Sequence, residues 1–179
     1  MRLPHFASVE EFVAWEDQQD EKYEFADGVV SLFPGGTARH EIIIPNLILA
    51  LRSRLEARYV RSSGLKQLTP TSSRYADVSV SFDPRDEPGL TYARYPTLLI
   101  EVLSPSTHAT DRGRKADEYR SIETLQEYVL VDSRKRWAQA VRRVAADWAF
   151  SLPILAGALR LESIDLSIAF DDLYAGTDL

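Results

Sequence analysis

The sequence predicts an α/β (α+β) fold in which a mixed central β-sheet carries helices on its faces. Three observations lead there. An almost continuous apolar run at 96–103 suits a central strand covered on both sides. Apolar residues spaced by four at Ile43, Leu47, Leu51 and Leu55 mark one face of an amphipathic helix. The element order is helix, three strands, helix and strand, with extra strands before and after, as in a layered sheet-and-helix domain. At 179 residues, 45% hydrophobic and 27% charged, the chain has the size and composition of one globular domain. No repeat or low-complexity linker divides it, so residues 1–179 read as a single domain.

The elements follow in order. Ser8-Val9-Glu10-Glu11 is a capping-box pattern, with Phe6 and Phe12 placed like a hydrophobic staple, and it opens a short helix to about Trp15. After an acidic turn at 16–21, Tyr23-Glu24-Phe25 and Val29-Val30-Ser31-Leu32-Phe33 form an added N-terminal hairpin around Ala26-Asp27-Gly28. Pro34-Gly35-Gly36-Thr37 ends it. Ile44, Ile48 and Tyr59 broaden the apolar stripe of the long helix. Pro45 either kinks that helix or marks its firm start, with 39–43 as a looser first turn. Strands are expected at 60–67, 75–82 and 96–103, with a Pro/Gly-rich loop at 83–89. Ser104-Pro105-Ser106-Thr107 is a sharp exit, 111–122 is helical, and Tyr128-Val129-Leu130-Val131 is another buried strand. Added C-terminal strands at 138–144 and 148–152 form a hairpin, and 159–161 and 166–174 close the chain.

Composition narrows the chemistry. The chain has no cysteine, which excludes disulfides, thiolate zinc sites and cysteine nucleophiles, and suits a reducing cytoplasm. Met1-Arg2-Leu3-Pro4-His5 leads into no apolar signal core, and no apolar run approaches the roughly 20 residues of a membrane span. A cytoplasmic protein without membrane contact is therefore expected. With only His5, His40 and His108, a metal site must rest on carboxylates, which favours hard ions such as Mg²⁺ or Mn²⁺. The net charge of −6 is uneven: residues 1–38 carry −6, residues 145–179 carry −5, and residues 39–144 carry +5. A basic middle is compatible with a polyanion-binding face, and equally with an ordinary mixed surface.

Two acids stand out, in Ala76-Asp77-Val78 and Ile100-Glu101-Val102. An ionised carboxylate among apolar neighbours is costly unless it is paired or bound to a cation. Two of them in adjacent strands can converge on one divalent ion. The alternative is that each faces solvent from an alternating strand, which fits Asp77 better than Glu101. Lys115, in Asp111-Arg112-Gly113-Arg114-Lys115-Ala116-Asp117-Glu118-Tyr119, is the candidate to stabilise developing charge or orient a water. In isolation it reads rather as a solvated helix residue. Ser104 and Ser106 lack the Gly-x-Ser-x-Gly elbow of a nucleophile and read as helix-entry residues. Arg134-Lys135-Arg136 with Arg142-Arg143, near Trp137, read either as a phosphate grip or as a solvated hairpin tip. No Walker loop or dinucleotide glycine fingerprint is present.

The ordered set Tyr23-Glu24…Asp27-Gly28, His40, Ala76-Asp77-Val78-Ser79-Val80, Ile100-Glu101-Val102-Leu103-Ser104-Pro105-Ser106-Thr107, Asp111…Lys115…Tyr119 and Glu127-Tyr128…Val131-Asp132 resembles the Uma-type restriction endonucleases. These form a branch of the PD-(D/E)XK nuclease superfamily, and the resemblance spans about residues 8–174. It implies a restriction-endonuclease-like core and a Mg²⁺- or Mn²⁺-dependent endonuclease acting on DNA. It also implies Asp77 and Glu101 as metal ligands and Lys115 as the catalytic lysine. The superfamily's proline before the aspartate is Ala76 here. Its lysine two residues after the second acid is Leu103, so Lys115, on the following helix, stands in. Glu24 is implied as a further acid, and His40, matching a histidine on the first long helix, as a phosphate contact or ligand support; Arg112 and Arg114, beside Lys115, are further candidate substrate or phosphate contacts. A homodimer is what the resemblance suggests, since cutting both strands takes two sites. The alternative function is a nuclease-fold binding or interaction module without catalysis.

Overall fold

The six residues of Leu-Leu-Ile-Glu-Val-Leu are all buried, which requires cover on both faces of the strand they form. The structure, a computed structural model, describes residues 3–33, 35–104 and 113–179. Its elements are α1 (Val9–Glu16), β1 (Tyr23–Ala26), β2 (Val29–Leu32), α2 (Ala38–Arg52), β3 (Val60–Ser62), β4 (Lys66–Leu68), β5 (Ser72–Tyr75), β6 (Val78–Val80), β7 (Tyr92–Ala93) and β8 (Leu98–Leu103). They continue with α3 (Arg114–Arg120), β9 (Glu127–Asp132), β10 (Ala138–Val144), β11 (Asp147–Phe150), β12 (Ala158–Leu161), β13 (Leu166–Ala169) and α4 (Phe170–Leu173).

The main sheet has the order β11-β10-β9-β8-β6-β3, with β8 and β9 parallel and the other pairs antiparallel. Side chains alternate along β8. Leu98, Ile100 and Val102 join the core under α2, β12, β13 and α4, while Leu99 and Leu103 join the core under α3. Glu101 falls in register with the second set, so its side chain shares the α3 face. A second, five-stranded sheet runs β2-β1-β5-β4-β7 and packs its apolar side on α1 through Phe12, Phe25 and Leu68.

Local chemistry explains the elements. Ser8 caps α1, its hydroxyl accepting from Glu11 N, as the capping box predicts. The β1–β2 hairpin turns on Asp27 (φ 49°) and Gly28 (φ 80°), two positive values suited to a tight hairpin turn. A Cβ on Gly28 would also strike the imidazole of His5, which hydrogen-bonds Gly28 O. Thr37 caps α2 and puts His40 in its first turn. The helix runs through Pro45 from Ala38, so the looser-first-turn alternative is not needed.

Two expected strands are divided. The stretch 75–82 is not one strand: Ser72–Tyr75 pairs with β1 and β4 in the smaller sheet, and Val78–Val80 pairs with β3 and β8 in the main one. Ala76-Asp77 is the crossing between sheets. The stretch 60–67 is likewise split into β3 and β4. The closing segment is a strand followed by a short helix. Of the helix expected at 111–122, Asp111 and Arg112 lie outside the described residues, as do Pro105, Ser106, Thr107 and His108. Among the described residues no helix is long and apolar enough to cross a membrane.

Candidate active site at the junction of the two sheets

The crossing from β5 to β6 puts Asp77 one step beyond the register pair Val78↔Ile100, facing Glu101 across the β6–β8 ladder. Cross-strand neighbours of this kind have Cβ atoms roughly 5 Å apart, and like charges so placed repel. Both carboxylates are buried, with Asp77 4% and Glu101 2% exposed. Cations and donors offset the repulsion. Lys115 Nζ lies 2.8 Å from Glu101 Oε1, and Tyr119 donates its hydroxyl hydrogen to the same oxygen at 3.1 Å. Asp77 Oδ2 accepts from Val102 N at 2.7 Å and lies 3.2 Å from His40 Nε2. Asp77 Oδ1 has no hydrogen-bond partner among the described residues.

Lys115 is buried, not a solvated helix residue. Its ammonium donates to Tyr75 O at 2.8 Å and lies 3.6 Å from Glu24 Oε1. Glu24 is buried too. Its Oε1 accepts from Tyr75 N and its Oε2 from Arg74. Arg74, with a side chain only 7% exposed, grips Glu118 through both Nε and Nη2 at 2.7 and 2.9 Å. The chain of contacts therefore runs Glu118, Arg74, Glu24, Lys115, Glu101 and Tyr119, alternating in charge until its last member.

Protonation follows from these contacts. Burial disfavours a charged His40, but the hydrogen bonds and charges of Asp77 and Glu41 outweigh it and raise its pKa above the ordinary 6.5. Burial likewise works against an ionised Glu118, yet Arg74 holds its carboxyl below the usual 4.5. The Arg74 pKa is raised, because Glu118 and Glu24 overcome the burial of the guanidinium. Burial and the neighbouring Glu16, which accepts from Tyr75 OH at 2.7 Å, push the Tyr75 phenol well up.

Asp77, Glu101, Lys115 and His40 line one cavity of about 420 Å³, together with Lys22, Gly36, Glu41, Ser63 and Ser104. Glu24 backs Lys115 without lining the cavity, and Arg114 points elsewhere, to Asp27 and Glu118. Arg112 lies outside the described residues. The basic C-terminal run is largely spent inside the fold: Arg134 pairs with Asp132, Arg136 with Asp171, Arg142 with Glu127, and Arg143 donates to main-chain carbonyls. Trp137 is core. Arg74 and Glu118 were not singled out from sequence, and Tyr119 stood in the resembling set without a role. The signal was there in part, since Lys115, Glu118 and Tyr119 at i, i+3 and i+4 share one helix face.

As chemistry, the site offers two buried carboxylates, the buried Lys115 ammonium and the His40 imidazole around a cavity large enough for a phosphodiester group, with Asp20, Glu21, Lys22 and Glu41 also in its walls. The donors are hard oxygens, and one Asp77 oxygen has no partner among the described residues, which suits Mg²⁺ or Mn²⁺. Among the described residues, no group of three or more His, Asp or Glu side chains could hold a metal ion. The protein would thus fill only part of a coordination shell.

The comparisons agree with the architecture. A model of the family Uma2, putative restriction endonuclease, matches residues 9–166. An uncharacterised Synechocystis protein, slr1290, is 36% identical over 174 residues, covering 94% of this chain and 92% of its own. A second one from that organism, sll1609, is 33% identical over 131 residues, covering 68% of this chain and 72% of its own. The fold is similar to that of a putative nuclease belonging to DUF820 from Anabaena variabilis ATCC 29413, with a TM-score of 0.77 at 18% identity, over 96% of this chain and 99% of that one. A nuclease-type α+β fold, a match along most of the chain and a relative above one-third identity lead to one statement: the chain belongs to the Uma2 family of putative restriction endonucleases.

Proposed function

We propose that this protein is a Mg²⁺- or Mn²⁺-dependent nuclease that hydrolyses phosphodiester bonds, with DNA as its substrate. The observation that supports it is the convergence of Asp77, Glu101 and Lys115, from the β5–β6 crossing, β8 and α3, on one cavity. Asp77 and Glu101 would hold the ion. Mg²⁺ is commonly bound by one or two carboxylates, with water and substrate phosphate completing its shell, so a two-carboxylate site fits it. Such an ion polarises the phosphate and lowers the pKa of a bound water.

The chain's own groups do the rest. Val102 N and His40 fix Asp77 Oδ2 and leave Oδ1 for the ion. Tyr119 and Lys115 hold Glu101 through one oxygen, Oε1. The Lys115 ammonium faces three acceptors, Glu101 Oε1, Tyr75 O and Glu24 Oε1, and so is presented as a donor. Its role is to stabilise negative charge building on the phosphate, where a preorganised donor is worth about 3 kcal/mol.

The test is Mn²⁺ titration by calorimetry and thermal melting, beside cleavage of labelled DNA. Metal binding that vanishes in Asp77→Ala, together with lost cleavage, is expected. No metal binding, no melting shift and unchanged behaviour of Asp77→Ala would overturn the reading. A binding module without catalysis is the second reading, favoured by the double engagement of Glu101 Oε1; its signature is DNA binding with no metal affinity. We infer in addition a homodimer, because β11 is a sheet edge flanked by exposed Val144, Phe150, Leu152 and Leu155.

A further inference from the structure

We propose that two adjoining clefts at Arg58 and Arg61, beside the catalytic cavity, bind the sugar-phosphate backbone of the nucleic-acid strand as it leaves that cavity. The inference rests on the nuclease reading above and adds where the substrate lies.

Strand β3 is the end of the main sheet opposite β11, so its outer edge pairs with no strand among the described residues. Two clefts of about 390 Å³ each open there, and both are walled by Arg58, Arg61 and Glu87. Arg52, Ser62 and Gly64 line one of them. Ser63, between those last two, lines the catalytic cavity. Consecutive Cα atoms are about 3.8 Å apart, so cleft and cavity share a wall only a residue thick. Lys22, on the cavity side beside Asp20 and Glu21, donates to Ser63 O at 3.0 Å and so ties the cavity wall to the residue next to the cleft.

The donors on the cleft side are not used up. Arg61 donates through Nη2 to Asp86 O at 2.7 Å, while its Nη1 is shielded from solvent and has no acceptor. A guanidinium so placed is costly without an anion to meet it. Arg58 is 60% exposed in its side chain. Its Nε and Nη2 meet the two Glu56 oxygens at 3.0 and 3.4 Å and Nη2 also donates to the Tyr59 phenol oxygen at 2.6 Å, so Nη1 is the donor with no partner among the described residues. Most of the nearby acids are engaged elsewhere. Asp83 is paired with Arg85, and the buried Asp86 accepts from Ser81, Arg94 and Tyr95. Glu87 is the acid that remains in the walls.

An aromatic pair selects the ligand class. The Tyr59 and Phe82 rings lie 5.1 Å apart, and Phe82 is 42% exposed. Guanidinium groups beside an exposed ring suit phosphates linked to flat, stackable bases, as in proteins that track a single strand. An isolated inorganic anion has no use for the ring.

The experiment measures binding of a fluorescein-labelled single-stranded DNA oligonucleotide by anisotropy, with the full chain in EDTA, across a salt series. Each phosphate contact on a single strand contributes about 0.7 to the slope of log K against log salt. Arg58→Ala should lower that slope by about 0.7, and Arg58→Ala with Arg61→Gln by about 1.4, with affinity falling at least about tenfold. Glu87→Gln should tighten binding. Because Arg58 is exposed, its variant keeps the fold even if the Arg61 variant does not, and circular dichroism checks both. Wild-type protein that binds while both variants keep its slope overturns the cleft and leaves the nuclease reading standing. No DNA binding by the wild type overturns the cleft, and the Mn²⁺ titration then decides the nuclease reading separately. Polyglutamate held as tightly, with the same dependence on Arg58, reassigns the surface to acidic protein and overturns the proposal.

Discussion

At the scale of residues, the site depends on Lys115 lying between two buried acids. Replacing it with Met leaves Glu24 and Glu101 without that cation, and breaking a buried pair costs about 3–5 kcal/mol. Lys115→Met should therefore lower stability by about 3 kcal/mol in urea unfolding and cut the turnover of a labelled DNA substrate by at least about 100-fold. Lys115→Arg should not restore turnover, because a planar guanidinium does not match three acceptors arranged around one ammonium. A variant Lys115→Met with wild-type turnover would remove the lysine from the mechanism. Gly36 supplies a gentler probe. A Cβ there would fall on the imidazole of His40, so Gly36→Ala should push His40 off Asp77. Loss of a group that orients a metal ligand typically costs 10–100-fold in metal affinity. Gly36→Ala and His40→Ala should weaken Mn²⁺ binding within that range in a calorimetric titration, and unchanged affinity in both would detach His40 from the site. The two acids were legible for a plain reason: a carboxylate inside an apolar strand calls for a partner. Lys115 was legible through the resemblance alone, since nothing local distinguishes it from a surface lysine. Arg74 escaped notice because the serines around it disguise a fully buried strand as a polar loop.

At the scale of elements, α3 carries the lysine and is docked by side chains from one face. Lys115 reaches β5 and β8, Glu118 reaches Arg74 on β5, and Tyr119 reaches Glu101 on β8. The seven-residue helix is too short to be stable alone, so its place is set by these contacts and by Ala116 and Tyr119 in the core. Arg74→Gln should cost about 3–5 kcal/mol, as it strands Glu24 and Glu118 inside the protein. The same pair sets a pH dependence. The Glu118 carboxyl is held below 4.5 in the folded chain, so its contribution is present above that value and is lost as pH falls through the lower, folded value. Wild-type melting temperature should drop in that acid range, and the Arg74→Gln variant should show a shallower drop. Equal slopes would mean that Glu118 is not held by Arg74. The division of 75–82 between two sheets was not legible, again for a physical reason. Alternating burial has period two in either sheet, and Ala76-Asp77 has no Gly or Pro to mark the crossing. The same holds for 60–67, where one stretch serves both sheets.

At the scale of the whole molecule, the central run at 98–103, the long helix and the buried strand at 128–131 were readable as parts of a layered α/β core because each carries an apolar signal, whereas the parallel pairing of β8 with β9 comes from the structure. The second sheet was not, because its strands are two to four residues long and its pairings join distant segments. The main sheet ends in two unlike edges. Its β3 edge has arginines, and its β11 edge has Val144, Phe150, Leu152 and Leu155, each more than half exposed. Six strands spaced by about 4.8 Å put these edges roughly 24 Å apart. A two-fold pairing through β11 would bury the apolar edge in both copies and leave β3, with its clefts, open to a strand of DNA. Light scattering after size exclusion should then give twice the 20.2 kDa mass of the chain. Phe150→Ser with Leu152→Asp should return it to one chain without loss of melting temperature, because both side chains point into solvent within a single copy. A wild-type protein that elutes with the mass of one chain at every concentration reached would rule out the pairing. Under that outcome, two cuts on a duplex would require two independent encounters, and the cleavage of nicked intermediates would lag visibly behind the first nick.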